Sequence, residues 1–227
     1  MQYLLVLLSL LFGVTATHAS EEVILYGDDD YPPYSYVENG VFKGIYVEFL
    51  QQVVARLAPA YKVTLRPIPW KRGLHELEFG KTLALFPPYK LSSRSYIQPY
   101  SAALNHESVA IFCRQEVMQH ARQHFPDDFS GLKIGINLGF TLSEKLQVAH
   151  RLGHITLVEN KGNEKNLLAL QAQSIDCYAN DRSSVSFTQK QLNNSGRVRF
   201  SIPLREAALL EGQDAYIGYS SRYNWRA

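Results

Sequence analysis

Twice along this chain, short apolar runs of strand length alternate with segments whose apolar residues recur every three or four positions. The turn-rich stretch Phe125-Pro126-Asp127-Asp128-Phe129-Ser130-Gly131 separates the two runs. In the first run, strand patterns at 23–26, at Val63 and Leu65, and at 83–86 flank two helices. One carries Ile45, Phe49, Val53 and Leu57 at four-residue steps with Leu50 and Val54 alongside, and the other carries Trp70, Leu74 and Leu77 and stops at Gly80. In the second run, strands at 108–113, 133–136, 155–158 and 176–179 alternate with helices from Thr141, over 164–173 and over 182–192. Such alternation predicts an α/β fold with largely parallel sheets. A return through Ser201-Ile202-Pro203 to a last strand at 215–219 predicts two lobes with the chain crossing between them twice. Residues 20–112 and 202–227 form lobe 1 in this reading and 113–201 form lobe 2, with hinge strands near Phe112 and Ser201.

Residues 4–14 are nearly unbroken Leu, Val and Phe, about half of what a bilayer span of roughly 20 residues needs, and give way to Thr17-His18-Ala19. This pattern predicts a signal peptide over 1–19 and a periplasmic mature protein. No Cys follows the leader to carry a lipid anchor. With 46% hydrophobic and 19% charged residues the chain can bury a core, and a formal charge of +2 without any long run of one sign excludes a nucleic-acid or polybasic membrane binder. Cys113 and Cys177 both lie in apolar strand-like runs. They are expected as buried free thiols, in a compartment that would also permit a disulfide.

Several motifs resemble catalytic or metal-binding ones without the required context. Gly80-Lys81-Thr82 has His75 where a phosphate-binding loop needs Gly, and Gly135 and Gly139 lack dinucleotide-turn spacing. Glu116, His120 and His124 would share a face if helical, but no Glu follows the first His as a zinc hydrolase requires. Asp28-Asp29-Asp30 lacks the spacing of a calcium loop and reads as an acidic turn before a Pro pair. No nucleophile elbow occurs and neither Cys sits in an electropositive loop. The expectation is therefore no enzyme, no cofactor and no metal.

One constellation stands apart. Tyr31-Pro32-Pro33-Tyr34-Ser35-Tyr36, a turn at Asn39-Gly40, then Gly44-Ile45-Tyr46-Val47-Glu48-Phe49-Leu50 resembles the opening of the extracellular solute-binding proteins of family 3, periplasmic receptors that typically feed polar amino acids to ABC transporters. Pro69-Trp70-Lys71-Arg72, Ser93-Arg94-Ser95-Tyr96, Phe129-Ser130-Gly131-Leu132-Lys133-Ile134-Gly135 and Ile175-Asp176-Cys177-Tyr178-Ala179-Asn180-Asp181 continue the resemblance in order and spacing. It implies a two-lobed periplasmic-binding-protein type II fold, each lobe a mixed sheet flanked by helices. The implied protein is a monomer that closes on a small amino-acid-like ligand, with an ABC transporter permease as the possible partner.

Residue by residue, the resemblance implies Arg94 for the ligand carboxylate, where a planar fork donates two parallel hydrogen bonds, and Asp181 for its ammonium. Tyr34, with Tyr31 as the alternative, and Trp70 fall where the family places aromatic walls. Phe140 and Thr141 open a helix whose free N–H groups would favour a carboxylate, and Tyr89 completes the set beside the Pro87-Pro88 pair. The plain alternatives are a surface ion pair for Arg94, a helix N-cap for Asp181 and core packing for Trp70. Four features depart from the family: Leu91 in place of Thr, prolines at a strand end that normally offers donors, Gly80-Lys81-Thr82-Leu83-Ala84 without the Asp of the family's Gly-x-Ile-Asp-Ala, and no closing C-terminal helix after Tyr219. Two rival functions accompany the receptor reading, a dehydratase-like enzyme on the same fold and a sensing or interaction module with a degenerate site.

Overall fold

In the computed structural model, residues 21–196 and 204–224 are described. The leader and the crossing at Ser201 lie outside them. The first run becomes β1 (Glu21–Asp28), a small antiparallel sheet of β2 (Asp30–Tyr31), β3 (Ser35–Glu38) and β4 (Val41–Lys43), then α1 (Ile45–Leu57), β5 (Tyr61–Ile68), α2 (Trp70–Glu78), β6 (Ala84–Phe86) and β7 (Ile97–Tyr100). The second run becomes β8 (Asn105–Cys113), β9 (Lys133–Asn137), α3 (Glu144–Arg151), β10 (Thr156–Asn160), α4 (Gly162–Gln171), β11 (Cys177–Asp181) and α5 (Arg182–Asn194), followed by β12 (Arg205–Ala215) and β13 (Gly218–Ser220).

Two five-stranded mixed sheets result, in the orders β5-β1-β6-β13-β7 and β10-β9-β11-β8-β12. Each has three parallel strands joined by helical crossovers and an antiparallel pair at one side. Among the described residues no helix is long and apolar enough to cross a membrane.

The sheets divide the chain elsewhere than at the expected 112/113 and 201/202. Asn105–Cys113 pairs within the second sheet, so Phe112 lies inside a strand and the chain leaves the first sheet between Tyr100 and Asn105. It returns between Ala215 and Gly218. The two crossing segments are hydrogen-bonded to each other, Leu104 N–H to Ala215 O at 2.7 Å and Ser101 N–H to Ile217 O at 2.9 Å. β12 is absent from the sequence reading because Arg205-Glu206-Ala207-Ala208-Leu209-Leu210-Glu211 lacks β-branched residues and alternation. Its strand conformation comes from pairing with β8, with two register irregularities.

Other expectations are corrected locally. Cys113 and Cys177 stand directly opposite on β8 and β11 and form a disulfide, with a Cα–Cα distance of 4.0 Å, rather than two free thiols. The 116–124 segment is a single 3-10 turn at Val117–Gln119 with extended His120, so its Glu and His residues share no helix face. The second lobe's first helix begins at Glu144, capped by the Ser143 hydroxyl, three residues later than expected.

The helix at 45–57 forms but turns the other face inward. Tyr46, Val47 and Leu50 are buried while Ile45, Phe49, Val53 and Leu57 stay exposed. Its free N-terminal N–H groups dock on the preceding loop, Ile45 to Pro33 O at 3.0 Å and Tyr46 to Tyr34 O at 2.9 Å. Gly44 permits this at φ +126°, since a Cβ there would lie 2.4 Å from Tyr34 O.

Candidate functional site

Between the lobes lies a small pocket lined by Tyr31, Trp70, Tyr89 and Arg94 from the first lobe and Phe140, Thr141 and Leu142 from the second, with Asp28 and Pro87 completing the wall. Six of the eight residues singled out from the sequence thus share one pocket, whereas Tyr34 and Asp181 do not line it. The ends of β1 and β6 and the start of α2 bring Asp28, Pro87 and Trp70 to the same edge of the first sheet. Ser143 caps α3 and holds the 140–142 turn opposite. Trp70 opens α2 at 7% exposure, so it belongs to the core as well as to the pocket.

Arg94 is buried at 6% exposure. One N–H reaches Tyr89 O at 3.4 Å and the guanidinium lies 5.8 Å from the Trp70 ring centre. No carboxylate among the described residues lies within ion-pair distance, and burial lowers the Arg94 pKa. It is not a surface ion pair. Asp28, on the same wall, accepts the Asp30 N–H at 2.9 Å through Oδ1, while its buried Oδ2 has no partner. Burial first, then the neighbouring Asp29 and Asp30, pushes its carboxyl well above the ordinary range. Phe140 meets Tyr31 edge-on at 5.2 Å and Trp70 at 5.9 Å, so the lobes contribute one aromatic lining. A second, larger chamber shares Asp28, Trp70 and Phe140 with the first and adds Asp29, Asp30, Lys71 and Lys161.

Asp181 ends β11 and caps α5. Its Oδ1 accepts the Ser184 N–H and the Tyr34 hydroxyl, each at 2.9 Å, and its Oδ2 accepts the Ser108 N–H at 3.0 Å. The helix-cap alternative therefore describes Asp181, with an added bond from the other lobe.

Behind the pocket, Glu107 near the start of β8 is 1% exposed. It accepts the hydroxyls of Tyr31 and Tyr89, both at 2.5 Å on Oε2, and that of Tyr46 on Oε1. Burial raises its pKa to about 7 although the three tyrosines oppose the rise. Sequence reasoning missed Asp28, Tyr46 and Glu107. For the two carboxylates the available signal was a charged residue inside or at the end of an apolar strand, a placement that burial penalises unless something pairs with it. The structure offers no metal cluster among the described residues.

Residues 23–86 match the family model described as bacterial extracellular solute-binding proteins, family 3, over the stretch that holds the Tyr-Pro-Pro-Tyr and Gly-Ile-Tyr-Val-Glu motifs. No curated protein matches the sequence. Solved structures share the fold. A sensor domain of a histidine kinase with similarity to periplasmic binding proteins superposes with a TM-score of 0.73 at 18% identity, covering 89% of this chain and 83% of that one. The P235GK mutant of the arginine-binding protein of T. maritima gives 0.68 at 15%, covering 88% and 82%. An ancestral amino acid-binding protein that is a precursor of cyclohexadienyl dehydratase gives 0.67 at 16%, covering 88% and 81%. The likeness is one of two-lobed fold.

Proposed function

We propose that this chain, whose residues 23–86 carry the signature of family 3 of the extracellular solute-binding proteins, is a periplasmic receptor that captures a small zwitterion between its two lobes. The observation that carries the reading is Arg94: a buried guanidinium, facing an interlobe pocket, with no carboxylate among the described residues to neutralise it. Holding a charge in that position is costly unless a partner arrives. A ligand carboxylate is that partner, and a charge-assisted hydrogen bond contributes about 1.5 to 3 kcal/mol. Aromatic walls from both lobes then enclose the rest of the ligand, and closure is a population shift because only the closed arrangement contacts it from both sides. Capture asks for no bond-making step.

The purified mature protein should gain melting temperature with at least one zwitterion from a panel of amino acids and related amino acids and amines, by about 2.7 kcal/mol of stabilisation at a hundredfold excess over Kd. Arg94→Ala should abolish the gain, and an undiminished gain would reject the pose.

A second reading keeps capture and changes the purpose. The likeness to a kinase sensor domain, with a TM-score of 0.73, favours signalling without transport. Co-purification of the ligand-loaded receptor with an ABC permease would decide for delivery.

A further inference from the structure

The pocket contains an unusual pair. Of the residues that line it, only Arg94 and Asp28 are charged in their ordinary state, both are more than nine-tenths buried, and they do not bond each other. The other carboxylate and the phenols that could hold an ammonium beside the ligand carboxylate are otherwise engaged. Asp181 is 1% exposed, does not line the pocket, and has both oxygens filled by Tyr34, Ser108 and Ser184. The hydroxyls of Tyr31 and Tyr89, which do line it, both point to Glu107 Oε2. The open charged acceptor is Asp28 Oδ2; the Thr141 hydroxyl, which also lines the pocket, is neutral.

The position of that acceptor sets the ligand's shape. Arg94 lines only the smaller chamber, while Asp28 stands where this chamber meets the larger one, with Trp70 and Phe140 also on both walls. A ligand whose carboxylate sits on Arg94 therefore presents its positive group at the far side of the aromatic rings rather than on the neighbouring carbon. Asp29 and Asp30 beyond the threshold add negative potential, and Lys71 and Lys161 bound it.

Resting on the receptor reading, we propose that the preferred ligand is an ω-amino or ω-guanidino carboxylate without an α-ammonium, bridging Arg94 and Asp28. An α-amino acid would bring a second cation into a pocket lined by no second unengaged carboxylate. Leaving that ammonium desolvated without a counter-charge should weaken binding by roughly tenfold or more.

Isothermal titration on the wild-type protein tests this with pairs that differ only in the α-ammonium: 6-aminohexanoate against lysine, 5-aminopentanoate against ornithine, and 5-guanidinopentanoate against arginine. At least one des-amino member should bind roughly tenfold or more tightly than its parent. Asp28→Asn, which preserves shape and the Oδ1 acceptor, should lose that binding. Parents binding as well as or better than their des-amino forms would overturn the inference and leave the receptor reading intact. Tight des-amino binding that survives Asp28→Asn would overturn the assignment to Asp28. No binding by any member, with α-amino acids and amines also silent in the thermal-shift panel, would overturn both.

Discussion

Glu107 shows how one residue ties the lobes together chemically. Its carboxyl sits at the base of the crossing strands without a cation, yet takes hydroxyls from β2, α1 and the segment after β6. Burial holds its pKa near 7, against about 4.3 for a solvated Glu. The folded state therefore binds a proton that the unfolded chain releases between these values. Its stabilising contribution is full below about pH 4.3 and is lost as pH rises through 7, a change on the order of 4 kcal/mol. Asp28 and Asp181, both raised chiefly by burial, act in the same direction. Melting temperature should fall from pH 5 to pH 8, and Glu107→Gln should flatten that slope while keeping an acceptor for the tyrosines. Equal slopes in the two proteins would show that Glu107 is not the source.

At the scale of elements, pairing decided what pattern could not. The strand-helix alternation was legible because each element buries one face. β12 was not, since its Ala, Leu and Glu residues favour helix and only the ladder with β8 makes them a strand. The inward face of α1 was also hidden, because the docking of its N-terminus on Pro33 and Tyr34 fixes its rotation. The disulfide joins β8 to β11 across 64 residues of sequence, and loop-closure entropy assigns it about 4 kcal/mol. Reduction, or replacing both cysteines with Ala, should lower the urea midpoint of unfolding with the same direction of change at pH 5 and pH 8. A midpoint that does not move would mean that the tie adds nothing to the packed strands.

At the scale of the molecule, the lobes touch through polar contacts rather than a shared apolar seam alone. Tyr34 donates to Asp181, the Ser184 hydroxyl donates to Pro32 O at 2.5 Å, Lys71 pairs with Glu159 at 3.7 Å and Ser92 bonds Glu144. Gly162, at φ +66°, leaves room for Asp30, whose Oδ2 would lie 2.4 Å from a Cβ there. Removing one donor from buried Asp181 costs about 1–3 kcal/mol in the closed arrangement and less once water can enter. Tyr34→Phe should thus shift the population toward open forms, seen as a larger radius of gyration by solution scattering and roughly tenfold weaker ligand binding. An unchanged radius and affinity would separate this contact from closure.

Sequence alone determined the alternation that makes an α/β protein, the two-lobed plan and the family resemblance, because periodicity and ordered motifs are properties of neighbouring residues. It also named Tyr31, Trp70, Tyr89, Arg94, Phe140 and Thr141, which the fold gathers around one pocket. Only the tertiary structure decided that Asp181 spends its oxygens on a helix cap and on Tyr34, that Cys113 and Cys177 meet, and that Asp28 is the carboxylate left with a free oxygen on the pocket wall that Arg94 also lines. Hydrogen-bond satisfaction is the physical reason. A side chain's chemistry is written in its residue type, but whether it remains available depends on which distant groups packing brings within 3 Å of it.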